Sequence, residues 1–251
     1  MAGASAERQE SGVVKSIKDA FRKNKKNPVT LVAGDTILDG VIDANKYTGR
    51  QTSGSEPYTD VVIKAKTSKK TVEINCSLKG ESAPSLAGGG LRGLELAVPG
   101  IAKKFMKAAY KELKEKRKLK AGDKVPDVFG KISPQDKLKI VIGNKAMGGP
   151  IDFMYIGPMN VVAKYNQKEN TLILNGSLIE AEEFAKTHDL YFRLRARRED
   201  QRFDPDAKDA DGTPKIYGKS PSRGDSAGRI VVTDKVPSTG VIVKIWISHN
   251  F

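Results

Sequence analysis

The chain has 251 residues and is strongly basic, with 44 lysine and arginine residues against 30 aspartate and glutamate residues and a formal net charge of +14. One cysteine and two histidines exclude a disulfide scaffold and a zinc site built from Cys and His ligands. No apolar run has the length of a membrane span and no secretory signal pattern is present, so we expect a cytoplasmic protein without membrane partners. The excess positive charge favours a polyanionic partner such as nucleic acid.

Residues 5–24 have the pattern of an amphipathic helix, with Ser5 as the predicted N-cap. Its apolar stripe consists of Val13, Val14, Ile17, Ala20 and Phe21. Glu10 extends this stripe, whereas Glu7 lies nearer the helix start. A carboxylate on the apolar side of a helix needs a metal or cationic partner, so we prefer Glu10 as the functional acid. Simple charge bias at a helix N-terminus is the alternative for either residue.

Strands predicted at 29–33 and 36–43 are followed by a predicted hairpin. Residues 60–66 are rich in β-branched side chains, and from Val72 onward apolar and polar residues alternate, which indicates two strands joined by a polar turn at 67–70. The apolar face contains Val72, Ile74, Cys76 and Leu78, so the single thiol is expected to be buried and structural. Antiparallel pairing places Asp60 near Ser77, with Lys79 further along the same face.

A carboxylate beside a lysine can hold Mg²⁺ and position a water molecule near a phosphodiester. The lysine can orient or deprotonate this water, or neutralise the charge that develops on the phosphate. An ordinary surface hairpin with outward polar residues is the alternative interpretation of the same spacing.

At these residues the chain resembles the PD-(D/E)xK nuclease superfamily, whose restriction-endonuclease-like core carries an aspartate on one strand and a (D/E)-x-K motif on the next. Asp60 matches the first acid and Lys79 the lysine, but Ser77 replaces the second acid. The resemblance implies an α+β fold with an α/β core, in which helices flank a mixed sheet. It also implies Mg²⁺ or Mn²⁺ as cofactor and a catalytic set of Asp60, Ser77, Lys79 and Glu10.

The replacement of the second acid leaves the metal ligands open. Asp60 and Glu10 are the first candidates, and Glu73 and Glu81 are candidates for the oxygen that the hydroxyl of Ser77 replaces poorly.

A glycine-rich stretch at 80–100 lacks the Gly-Lys-Ser/Thr ending of a P-loop and is predicted as a loop that enters a helix, with Arg92 available to phosphate. A basic helix is predicted over 100–119, with Phe105, Ala109 and Leu113 facing inward. Its lysines form either a solvated face or a surface that binds a nucleic-acid backbone. We predict a nuclease-like core over 1–121.

Residues 122–251 are predicted to be β-rich, as a continuation of the core or as a nucleic-acid-binding lobe. The predicted strands are 138–142, 153–156, 161–165, 171–174, 190–197, 229–233 and 241–247, with a short helix within 178–187. In the strand 190–197, Arg193, Arg195 and Arg197 alternate with core residues. Arginines in this pattern can contact phosphate or read guanine, so we predict that these three bind nucleic acid.

The sequence therefore predicts a Mg²⁺-dependent endonuclease that acts on duplex DNA in the cytoplasm, or in the host cytoplasm if it is encoded by a phage. A restriction enzyme and a phage nuclease both stay open, as does a homodimer that cuts both strands. The main competitor is a non-catalytic DNA-binding or phage structural protein that keeps a degenerate nuclease fold. A third alternative is an RNA-binding protein, because arginine faces and aromatic residues also suit single strands.

Overall fold

The computed structural model describes residues 4–52, 56–81, 90–195, 202–208, 210–214, 216 and 229–245. Within these residues the chain forms five α-helices and two mixed β-sheets, which confirms the predicted α+β class. The helices are α1 (Ala4–Lys23), α2 (Gly90–Ala97), α3 (Ile101–Lys111), α4 (Pro134–Ile142) and α5 (Ala181–Thr187). The strands are β1 (Val29–Ala33), β2 (Thr36–Lys46), β3 (Val61–Lys66), β4 (Thr71–Gly80), β5 (Val128–Lys131), β6 (Phe153–Gly157), β7 (Ala163–Asn166), β8 (Thr171–Leu174), β9 (Ser177–Glu180), β10 (Tyr191–Arg195), β11 (Arg229–Thr233) and β12 (Val241–Val243). None of the helices in this described part is long and apolar enough to cross a bilayer.

The chain divides into two compact units that alternate along the sequence. The first unit comprises Met1–Pro84 and Leu138–Thr187, and the second comprises Ser85–Lys137 and His188–Phe251. The predicted boundary after residue 121 lies inside the second unit.

The first unit is built on an eight-stranded sheet in the order β7-β8-β1-β2-β3-β4-β6-β9. Strands β1 to β4 form an antiparallel meander, whereas β4 pairs with β6, and β1 with β8, in parallel. The meander places the predicted hairpin in the middle of the sheet. Its turn is closed by the Thr67 N–H, which donates to the carbonyl oxygen of Lys70 at 2.8 Å, as the polar turn residues predict.

Helix α1 packs against this sheet, mainly over β2. Its predicted stripe is confirmed in Val13, Ile17 and Ala20, which are buried in one core with strand residues. Cys76 lies in the same core and is 1% exposed, which confirms the predicted burial of the thiol. The predicted N-cap at Ser5 is wrong, because α1 already includes Ala4 and Ser5 lies within its first turn.

The second unit contains a four-stranded sheet in the order β11-β10-β5-β12. Helix α3 packs near β5, and the inward residues of the predicted basic helix, Phe105, Ala109 and Leu113, are all fully buried. A π-helical turn, Glu112–Lys116, follows α3 and completes most of the predicted basic helix. Strand β5 was not predicted.

The predicted strand at 138–142 is wrong, because these residues belong to α4. A cap at the helix start explains the difference. The Ser133 hydroxyl donates to the Asp136 carboxylate at 2.7 Å, the Asp136 N–H donates back to the hydroxyl at 3.1 Å, and Pro134 occupies the first helical position. The period of a short apolar run does not distinguish a strand from a buried helix. The capping residues at the start of the segment are therefore the deciding signal.

Candidate functional site

Asp60 lies directly before β3, at the place in the sheet that the hairpin predicts. Its N–H donates to the Cys76 carbonyl oxygen and its own carbonyl accepts from the Tyr47 N–H, both at 2.9 Å, so its main chain is fixed between β4 and the end of β2. Carboxylate oxygen Oδ2 accepts from the Ser77 hydroxyl at 3.1 Å and from the Leu78 N–H at 2.6 Å. The predicted proximity of Asp60 and Ser77 is therefore confirmed.

The two oxygens of the Asp60 carboxylate differ in their surroundings. Both donors bind Oδ2, and none of the hydrogen bonds found among the described residues reaches Oδ1. Burial raises the pKa of Asp60, against the opposing effects of the Lys79 charge, the Leu78 N–H and the Ser77 hydroxyl, while the Glu56 charge raises it further. A further cation beside this carboxylate would favour its ionised form.

Glu10 is the second acid near this position. Its carboxylate lies 3.2 Å from the ammonium nitrogen of Lys46, at the end of β2, and its side chain is 16% exposed. Burial raises the pKa of Glu10, the ion pair with Lys46 lowers it, and the negative charges of Asp60 and Glu7 raise it again. The charge of Asp60 therefore acts on the pKa of Glu10. Glu7 is exposed and lies further towards the helix start.

Gln9 was missed by the sequence analysis, although it lies next to Glu10. It is 2% exposed, and its amide nitrogen lies within hydrogen-bonding distance of the carbonyl oxygens of Lys79 at 3.1 Å, Gly157 at 2.9 Å and Pro158 at 3.4 Å. These contacts fasten α1 to the ends of the parallel strands β4 and β6, and so relate the backbone of Glu10 to that of Lys79. The available signal was its spacing, four residues before Val13 on the buried stripe.

The remaining predicted metal ligands lie elsewhere. Glu73 pairs with Lys64 across β3 and β4 at 3.1 Å and lies four residues, about 13 Å of strand, before Ser77. Glu81 is exposed just after β4, and its charge joins burial in raising the pKa of Tyr155 to about 12. In the described part of the chain, no group of three or more His, Cys, Asp or Glu residues is placed to hold a metal ion.

The predicted arginine surface belongs to the second unit. The Arg193 guanidinium lies 2.5 Å from the Asp127 carboxylate, and its central carbon lies 5.7 Å from the centre of the Phe129 ring. These contacts engage one terminal nitrogen and one face of the guanidinium, whereas Nε is buried without a hydrogen-bond partner among the described residues. Arg92 belongs to α2 and Arg195 ends β10, but their side chains lie outside the described part of the structure, as does all of Arg197.

The structure thus brings Asp60, Ser77, Lys79 and Glu10 into one neighbourhood, with Gln9 and Lys46 as additional members. Comparisons of the chain with models of protein families, with curated proteins and with solved structures found no match. A function is therefore inferred from the geometry and electrostatics of this neighbourhood.

Proposed function

We propose that the chain is a metal-dependent endonuclease that hydrolyses phosphodiester bonds in DNA. The observation that carries this proposal is the state of Asp60, a desolvated carboxylate with two hydrogen bonds to Oδ2, none from the described residues to Oδ1, and the Lys79 charge nearby. Strongly desolvated carboxylates with a specific cationic partner are typical of functional sites.

The arrangement of the chain supports the same proposal. Asp60 directly precedes β3 and Lys79 lies in β4, which pairs with β3 antiparallel, while Glu10 comes from the first helix and the sheet is mixed. The PD-(D/E)xK core combines these features. Our proposal therefore includes a restriction-endonuclease-like core for the first unit, with Ser77 in place of the second acid.

The donor set fits Mg²⁺ or Mn²⁺. Magnesium takes one or two carboxylates from a protein and completes its shell with water and phosphate oxygens, so Asp60 and Glu10 suffice. When bound, the ion would acidify a water molecule and offset charge on the phosphate oxygens. Of the chain's own groups, Ser77 and Leu78 fix the orientation of Asp60, and Lys79 supplies a positive charge for the attacking water or the phosphate.

A non-catalytic DNA-binding protein is the second candidate, and two contacts favour it. The Ser77 hydroxyl donates a hydrogen bond to Oδ2 of Asp60, an oxygen that a carboxylate at position 77 would repel. The ammonium group of Lys46 pairs with the Glu10 carboxylate and neutralises its charge. The site is therefore partly satisfied by its own side chains. Cleavage chemistry separates the two candidates.

Replacement of Asp60 by asparagine tests the proposal with little change of shape. We expect wild type to nick supercoiled plasmid with Mg²⁺ or Mn²⁺ but not with chelator, and Asp60→Asn to cut slower by a factor on the order of 10²–10³. Asp35→Asn, which makes the same change at an exposed acid of the β1–β2 turn, is the matched control and should cut like wild type.

Equal cutting by Asp60→Asn and wild type would remove Asp60 from the site. A wild type that binds DNA but cuts no substrate with either metal would favour the non-catalytic protein.

A further inference from the structure

Four lysines surround the end of α1 at the far side of the first unit from Glu10. We define the basic turn cluster as Lys23, Lys25, Lys26 and Lys168. All four are exposed, and none takes part in the ion pairs formed among the described residues. The one acid within the same two turns, Glu169, is exposed next to Lys168.

Hydrogen bonds hold the two turns of this cluster together. The side-chain amides of Asn24 and Asn170 both donate to the Pro28 carbonyl oxygen, at 3.0 Å and 3.1 Å, and the Thr30 N–H donates to the Asn170 carbonyl at 3.0 Å. The α1–β1 turn and the β7–β8 turn therefore form one surface, with their lysines fixed at the backbone.

The backbone at two of the lysines is unusual. Lys25 and Lys26 have φ values of 55° and 62°, in the left-handed region where glycine or asparagine ends a helix with less strain. The Lys26 N–H donates to the Phe21 carbonyl at 3.0 Å, so this conformation closes α1. The presence of lysine at these two strained positions is explained if the charges of Lys25 and Lys26 contact a ligand.

The surface beside these lysines has the chemistry of a nucleic-acid contact. An open depression of about 400 Å³ is lined by Lys18, Phe21, Arg22 and Lys26, which combine cationic groups with an aromatic ring. Lys18 and Arg22 already contact Asn45 and Asp19, so Lys26 and its neighbours in the cluster supply the free charge.

Helix α1 sets the separation between the cluster and the candidate site. Lys23 lies thirteen residues after Glu10, which corresponds to about 20 Å along the helix.

We propose that the basic turn cluster binds the phosphate backbone of duplex DNA at the end of α1 opposite to Glu10 and the candidate site. The binding rests on the nuclease proposal only for its position relative to the cut. Ammonium groups contact phosphates without reading bases, so this contact is independent of sequence.

The test compares two triple variants that lose equal charge. The cluster variant is Lys23→Gln, Lys25→Asn and Lys26→Asn, in which asparagine also tolerates the left-handed backbone. The matched control is Lys66→Gln, Lys69→Gln and Lys70→Gln, which removes three exposed lysines outside the ion pairs of the described residues, in the β3–β4 turn about 20 Å of strand from Asp60. Thermal unfolding checks both variants before use.

Binding to a labelled duplex is measured by anisotropy in chelator over a range of salt concentrations. We expect the slope of log K against log salt to fall by up to about three for the cluster variant, since each lost phosphate contact removes about 0.9, with a much smaller change for the control.

Equal slopes for the two variants would overturn the proposal, because net charge alone would explain the effect. A larger loss with single-stranded DNA or RNA than with duplex would also overturn it and assign the cluster to that polymer. Failure of wild type to cut, with the slope change present, would refute the nuclease proposal and leave phosphate binding by the cluster in place.

Discussion

At the scale of single residues, desolvation of the Asp60 carboxylate opposes folding, and the same carboxylate is the proposed metal ligand. Its carboxylate accepts two hydrogen bonds through Oδ2, yet burial still raises its pKa. A raised carboxyl pKa means that the native state holds this proton more tightly than the unfolded chain. Stability that is present at low pH is therefore lost as the pH rises through the folded pKa.

Asp60→Asn should consequently unfold at a higher temperature than wild type at neutral pH, because the variant has no buried charge to desolvate. The difference should shrink as the pH falls below the ordinary carboxyl range, where Asp60 is protonated in both states. Thermal unfolding from pH 3 to 8, with Asp35→Asn as control, measures it. A variant that is less stable than wild type at neutral pH would show that the ionised carboxylate stabilises the fold.

Some residues of the site were predictable, and others were not. The alternation from Val72 onward and the turn length together place Asp60 near Ser77, because antiparallel pairing fixes cross-strand neighbours. Lys46 and Gln9 approach the site only through the packing of α1 on the sheet, a contact between elements that no local pattern encodes.

At the scale of elements, helix caps and contacts within a unit explain why some predictions from sequence patterns differ from the structure. Strands β1 and β8, for example, coincide with their predicted bounds because each has β-branched residues and turn residues at both ends. The arginine alternation in β10 predicted an outer binding face, but Arg193 pairs with Asp127 inside its own unit. Its binding of nucleic acid stays a prediction.

The cap of α4 gives a prediction at this scale. Ser133→Ala removes the hydroxyl that exchanges hydrogen bonds with Asp136, so we expect a loss of about 0.5–2 kcal/mol in the free energy of unfolding. Ser133→Thr keeps the hydroxyl and should lose much less. Urea unfolding measures both, and equal stability of wild type and Ser133→Ala would contradict the role of the cap.

At the scale of the whole molecule, the chain leaves its first unit after residue 84 and returns at residue 138. The change to predicted strands after residue 121 is visible in the sequence. A return to an earlier unit is not visible, because it depends on strand pairing between β4 and β6 across more than 70 residues. The net charge of +14 is a property of the whole chain and favours polyanions without locating their contact.

The nuclease proposal depends above all on Asp60 and Lys79 as one metal-dependent site. Lys79→Ala tests it most directly, with Lys164→Ala as a control that removes an exposed lysine of the same unit. The measurement is single-turnover cleavage of a labelled duplex with Mg²⁺, beside its affinity in chelator. We expect cutting by wild type and the control, a loss on the order of 10²–10⁴-fold in Lys79→Ala, and nearly unchanged affinity. Cutting by Lys79→Ala at the wild-type rate, or a wild type that binds the duplex and never cuts it, would contradict the nuclease proposal.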